Sequence, residues 1–449
     1  MAHASGLGMR HCVFLSHPQS RDSGDYQHRV TLPARALARH WSVEDLQTSH
    51  PRFVERALRA DLLIVCMVAE PVIERLVQAR NAAGRPTAYE ISDDFEHFPR
   101  SVPGHTFYSL PQTRRVIGDL AAASTMVQFS SHGLRQAYGH LNPRHAVFAN
   151  QLDALPPLGP RSLDPGNLPV LGWAGSAGHA DDAMRLATLL GAWARRRRDL
   201  GHALPVLRLM CAPLIARLFD GCGLRTELHP TGDFASYLGF LTGLDLGFAC
   251  IGDDRFSLGR SDGKFIEMAS RGVVCLASDL GEYRHAIDDG RTGLRFADEP
   301  GFLRALDSLV DDPEARMRIR SAAYDHVARH RLHTHGALER IAVYGELPGL
   351  HRAGARGLAR DDGAVTADPA TDEAVAGRVL TAALRHREGR HDIALDLYVA
   401  CMQDAPSFYL PWERASFIAR ALGSSEEGEV LANLAERKLQ QAIDAACAR

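Results

Sequence analysis

Short apolar runs alternate with segments of helical period along the first 150 residues. "HCVFLSH" (11–17) is brief, apolar and bounded by polar residues, so it predicts a strand. "RVTLPARALARHW" (29–41) sets Leu32, Ala36 and Leu37 on one helical face. "ADLLIVCMV" (60–68) is apolar almost throughout, as a strand covered on both faces should be. "EPVIERLVQARNAAG" (70–84) predicts a helix that stops at Gly84, ahead of Pro86. Runs at 86–92, 123–131 and 145–150 continue the alternation, which implies a parallel, doubly wound sheet. The Pro- and Gly-rich stretch 153–169 reads as a linker. A second alternating unit follows, with strands at 169–175, 204–211, 244–250 and 272–278 and a long helix starting near Asp181.

Beyond it, 350–372 is poor in apolar residues and rich in Gly, Ala, Arg and Asp, a second and flexible linker. Only helical period remains after that. Gly389 and Gly423 lie 34 residues apart, each behind a helix that ends in a polar turn, and Ala394, Leu397, Tyr398 and Pro406 precede the second unit. Paired helices at this period resemble a tetratricopeptide repeat. A plain helical cap is the alternative, and both predict helices packed as hairpins.

Composition narrows the function classes. With 45% hydrophobic and 23% charged residues, the 449-residue chain can bury cores, which excludes disorder over its whole length. No apolar run reaches the roughly 18 residues of a membrane helix. No charged region followed by an apolar stretch opens the sequence, so a cytoplasmic protein is expected. Acidic and basic residues nearly cancel, 54 against 51, giving no case for nucleic acid. The run Arg195–Arg198 reads as a solvated basic turn ending a helix. Eight cysteines show no CxxC or zinc spacing, and most sit in apolar runs as buried thiols. The 22 histidines form no HExxH set, so no metal is expected. Only two of the basic residues are lysines, Lys264 and Lys438; the other 49 are arginine.

One lysine lies in the densest chemical signal, 244–296: "LDLGFACIGDDRFSLGRSDGKFIEMASRGVVCLASDLGEYRHAIDDGRTGLRF". A strand ends at Cys250, a loop follows, and "RSDGKFIEMA" begins a helix with Ser261 or Asp262 as N-cap. Free N–H groups at a helix N-terminus attract an anion, and Arg260 and Lys264 add cations beside it. Glu267 shares a helix face with Lys264. Cations beside a helix start suit a diphosphate, and a carboxylate one turn on suits two vicinal hydroxyls of a ribose. A surface ion pair between Lys264 and Glu267 is the bland alternative.

The order "LDLG", "GRSDGKFIE", "ASRGVVCLAS", "EYRHAIDDGRTG" resembles the C-terminal domain of glycosyltransferase family 4 and its near relatives, which have the GT-B fold. The resemblance covers about 165–335 well and 10–150 more weakly. It implies an α/β protein of two doubly wound, Rossmann-like domains facing a cleft, here with a small all-α C-terminal helical domain. The expected units are an acceptor domain (1–155), a nucleotide-sugar donor domain (165–347), a linker (348–372) and a tetratricopeptide-like tail (373–449). By the resemblance, Lys264 and Arg260 bind the donor diphosphate and stabilise the leaving group, while Glu267 binds the ribose. Gly175 and Ser176 of "GWAGSAGH" lie near the phosphates, and Ser261, Asp262, Gly281, Glu282 and Tyr283 complete the donor side. Gly24, Tyr26, Arg29, Asp93 and Asp94 fall on the acceptor side; a turn or cap is the competing reading of the two aspartates. Many family members carry a first glutamate eight positions before the second, and here that position is Gly259.

The resemblance thus implies a hexosyl-type glycosyltransferase (EC 2.4) of bacterial glycan or glycoprotein biosynthesis. It would be retaining and metal-independent, without a cofactor, using UDP or another nucleotide on its donor. The acceptor would be a saccharide, a lipid-linked glycan reached by peripheral membrane contact, or a protein. An inactive scaffold binding a protein partner through its helical tail is the alternative, motivated by Gly259.

Overall fold

A computed structural model describes residues 9–448 except 20, 103, 162–163, 165–166 and 351–368. The linker expected at 348–372 falls mostly outside the described residues. Six parallel strands form the first sheet: β1 (His11–Ser16), β2 (Ser42–Gln47), β3 (Leu62–Cys66), β4 (Thr87–Ile91), β5 (Met126–Phe129) and β6 (His145–Val147), in the order β2-β1-β3-β4-β5-β6. Six more form the second: β7 (Leu171–Ala174), β8 (Leu207–Met210), β9 (Thr226–His229), β10 (Leu246–Ala249), β11 (Val274–Ser278) and β12 (Leu294–Phe296), in the order β12-β11-β10-β7-β8-β9. The apolar runs became the central strands, buried on both faces. The sequence reading missed β2, β9 and β12. All three are sheet edges; β2 and β9 are polar and largely half-exposed, and β12 has only three residues, so none leaves an apolar run.

Chain order reverses between β1 and β3 in one sheet and between β7 and β10 in the other. Ligands bind at such switch points, outside the carboxyl ends of the strands. The loops after β1, β7 and β10 meet there.

Two passages join the domains, and they are bonded to each other. Leu152 N donates to Arg331 O (2.9 Å), and His333 N donates to Leu152 O (2.9 Å). The Arg331 guanidinium also holds Asn150 O (2.8 Å) and both oxygens of Asp262. The helix His333–Gly345 then crosses back onto the first domain. Tyr344 is buried there beside Trp41 and Phe148, and its hydroxyl donates to Gln128 Oε1 (2.7 Å).

The tail consists of helices Pro369–Arg387, His391–Asp404, Tyr409–Ala421 and Ser425–Cys447. Gly389 (φ 77°) and Gly423 (φ 91°) turn the two hairpins in the left-handed region, which glycine enters without steric cost. Tyr398, Tyr409 and Ile443 share one buried cluster with Phe53, Val54 and Ile73 of the first domain, and Tyr409 lies 6.0 Å from Phe53. At about 1.5–3 kcal/mol per buried large apolar side chain, this joint is a continuation of the domain core. Lys438 caps the ring of Trp412 at 4.7 Å. The basic run ending the helix Ala180–Asp199 is only partly solvated: Arg197 turns inward and pairs with Asp311 (2.7 Å), because the i+4 side of Trp193 faces the core. Seven of the cysteines are buried free thiols; Cys447 is exposed. Among the described residues no helix is long and apolar enough to cross a membrane.

Candidate active site

A cavity of about 660 Å³ lies between the domains, where the three switch-point loops converge. On the second-domain side, the helix Gly263–Ser270 starts at its wall. Lys264 reaches back under β7: its ammonium donates to Ala174 O and lies 5.5 Å from the Trp173 ring. Burial lowers its pKa below the usual lysine range, opposed by Asp182 and Glu267. Arg260 lies across from it, paired with Asp182 (2.5 Å), donating to Gly178 O (2.9 Å), and 5.0 Å from the Phe256 ring. Two cations are thus held by groups on the "GWAGSAGH" turn. Gly175 is required there, since a Cβ would sit 2.6 Å from the Trp173 ring. His179 on the same turn is driven down to about 4, chiefly by burial and by Lys264, so it is neutral at pH 7.

Glu267 is not in a surface pair with Lys264. It is 6% exposed and accepts from His28 Nε2 (2.7 Å) and the Tyr237 hydroxyl (2.9 Å). Burial would raise its pKa, but these two hydrogen bonds and the charges of His28 and Lys264 outweigh that and hold it below the ordinary carboxylate range. The His28 contact crosses the cleft.

His28 comes from a π-helical turn, Gln27–Thr31, after β1, in which Leu32 N bonds back to Gln27 O. Such turns re-aim side chains and cluster at functional sites. Here one turn sends His28 to the cavity and Arg29 into the domain. Arg29 borders the cavity, but grips Glu90 bidentately (2.8 and 2.9 Å) and also donates to Phe148 O and Asn150 Oδ1.

Gly24, Asp93, Gly175, Ser176, Ser261 and Tyr283 line the cavity with Arg29, Arg260, Lys264 and Glu267. Five residues expected at the site do not line it. Tyr26 points into the first-domain core and bonds Asp45. Asp94 caps its own turn, accepting from the backbone of Glu96 and His97 and from Tyr138. Asp262 occupies the N-cap position, but its carboxylate pairs with Arg331 instead of the helix N–H groups. Gly281 packs on the 258 backbone, and Glu282 caps the first-domain helix His132–Tyr138 from across the cleft, accepting from His132 N and Gly133 N. His28, Asp25, Trp173, His179, Asp182 and Tyr237 were missed. None of them carries a spacing signature, and the fold brings them together.

Gly259, the position of the missing glutamate, packs against the other domain. A Cβ there would lie 3.1 Å from Leu134 and 3.5 Å from Asp94, and the Ser131 hydroxyl donates to Gly259 O (2.6 Å). A side chain there would press on Leu134 of the other domain in this closed arrangement.

No protein-family model matches the chain, and no curated protein sequence does. Solved structures do. HepE from Anabaena, in complex with UDP, is 14% identical with a TM-score of 0.54 over 76% of this chain and 100% of its own. Sucrose-phosphate synthase from Thermosynechococcus elongatus is 11% identical, TM-score 0.54, over 75% and 100%. An α-glucosyltransferase in complex with UDP and DNA is 11% identical, TM-score 0.53, over 75% and 100%. Two six-stranded parallel sheets facing one cleft, with a helix returning from the second to the first, give this chain the GT-B fold.

Proposed function

We propose that the protein is a glycosyltransferase that moves a hexosyl group from a nucleotide-diphosphate sugar to an acceptor in the cleft. The observation that carries this is the pairing of two pinned cations, Lys264 on the helix Gly263–Ser270 and Arg260 just before it, with the buried, ionised Glu267 of the same helix. Cations fixed before the reaction stabilise the diphosphate as it departs, without reorganisation, and without a metal. Glu267 has the charge and depth to take the two ribose hydroxyls, with Tyr237 and His28 holding it in place. Closure of the domains through His28 and Glu267 excludes water. The fold neighbours named for UDP support a UDP-linked donor. Retention of anomeric configuration is part of this proposal, as is a cytoplasmic setting with a saccharide, lipid-linked or protein acceptor. The tail's 34-residue hairpin period supports a repeat-type docking domain for a protein partner.

Calorimetry with UDP and GDP tests the donor site, and we expect UDP to bind. Lys264→Ala and Glu267→Ala should each lower transfer from UDP-sugars by at least about 10²-fold, with the far-ultraviolet circular dichroism unchanged. Full activity in both variants would sink the site assignment. Binding of neither nucleotide would leave the inactive scaffold as the better reading.

A further inference from the structure

His179 lines the cavity with Arg260 and Lys264, yet the proposed function gives it no part. The first turn of the helix Ala180–Asp199 holds its ring from behind. Asp182 is buried there and accepts from Nδ1 (2.8 Å). Arg260 Nη1 also lies 3.0 Å from Nδ1, but that guanidinium already donates to Asp182 (2.5 Å) and to Gly178 O (2.9 Å). Asp182 is ionised, its pKa held below the ordinary carboxylate range by the bond from His179 and the charge of Arg260 against the effect of burial. The Nδ1 proton therefore belongs to the bond with Asp182, and in the neutral ring Nε2 is left as an acceptor. Nε2 has no partner among the described residues and is not sealed from solvent, the side chain being 26% exposed. The charged groups facing the ring are Lys264, Asp182 and Arg260. Burial, Lys264 and Arg260 keep it neutral at pH 7, against Asp182. A diphosphate in the cavity reverses that balance in two ways. Its charges offset those of Lys264 and Arg260. Its oxygens accept only, so they cannot bond to an acceptor nitrogen unless a proton lies between.

We propose that His179 is a third contact to the donor diphosphate, made only as the imidazolium: binding draws one proton from solvent onto Nε2, which donates to a diphosphate oxygen while Nδ1 stays on Asp182. The proposal rests on the reading of the cavity as a nucleotide-diphosphate site. It makes donor binding proton-linked and tighter in acid. UDP methylated on its terminal phosphate tests it on the full chain, because neither phosphate of that ester titrates between pH 6 and 8. Calorimetry in buffers of different ionisation enthalpy counts the protons taken up. The unmodified chain should take up at least about half a proton per ester at pH 6 and lose about tenfold in affinity by pH 8. His179→Gln keeps an amide N–H in place of the titrating ring. Its uptake should fall to about a quarter of a proton or less, and its affinity should change by about threefold or less over the same range. Circular dichroism shows that the fold stands, and His179→Asn gives the same reading should the glutamine variant not fold. Absence of uptake by the unmodified chain, or equal uptake and an equal pH profile in the variant, overturns the assignment. Failure of the ester to bind at all instead overturns the UDP-linked transfer reading beneath it, so the two failures are distinguishable.

Discussion

Glu267 keeps its charge in a place where burial alone would remove it, and the partners that keep it come from opposite domains. His28 and Tyr237 therefore hold the carboxylate in place. Asp93 is the reverse case, a carboxyl left without donors. Its pKa is raised in the folded state to about 7, from about 3.8. A raised carboxyl pKa contributes stability that is fully present below the unfolded value and is lost as pH rises through the folded one. Facing it are Asp25, Asp94, Arg260 and Arg29. Asp93→Asn removes the ionisable group, so the variant should melt higher than the parent at pH 8 and nearly together with it at pH 4. After discounting for the coupling to Asp25, the difference is on the order of 1–2 kcal/mol. Melting curves across pH 4–8 check this, and a constant offset would contradict it. Lysine scarcity pointed to Lys264, which lines the cavity, but Lys438 also has a ring partner, so scarcity alone does not separate them.

Short elements decide the site. The eight-residue helix Gly263–Ser270 and the turn after β7 were legible, because a Gly-rich loop after an apolar run and a basic residue opening a helix leave marks in sequence. The π-helical turn at 27–31 was not: the helix predicted over 29–41 takes in only its last three residues, and one added residue per turn leaves no pattern. His28 therefore leaves no mark in the sequence, while Arg29, expected on the acceptor side, borders the cavity and is tied to Glu90. The aspartates of 93–94 divided in the same way, since neighbours in sequence point to opposite sides of a strand end. Packing under the β7 turn gives an element-scale expectation. Gly175→Ala would push the added methyl into the Trp173 ring, which supports Lys264. The variant should lose about 1–3 kcal/mol of stability by overpacking and bind UDP several-fold more weakly by calorimetry. Parent-like values of both would mean the turn can relax.

At the scale of the molecule, alternation of strand and helix revealed both α/β units and the change to helices alone revealed the tail. How the parts join was hidden, because contacts between distant segments have no local signature. Helix 333–345 belongs by sequence to the second unit and by packing to the first. The tail shares its apolar cluster with the helices Phe53–Arg59 and Pro71–Ala82, with Arg75 bonded to Glu436 and Gln440. Removing residues 369–449 should therefore uncover Phe53, Val54 and Leu58 and lower the melting temperature of the remainder, with aggregation visible by light scattering. An unchanged melting temperature would make the tail an independent appendage.

The paired passages at Leu152 and Leu332 have a mechanical meaning. Two strands of chain bonded side by side resist twisting far better than one, so they act as a flat spring that bends about a single axis. Opening the cleft must then separate His28 from Glu267, Ser131 from Gly259 and His132 from Glu282 in one swing. Under the proposed function, substrate entry and product exit would share one door, and Glu267 would be released from the first domain in the same motion that admits the acceptor.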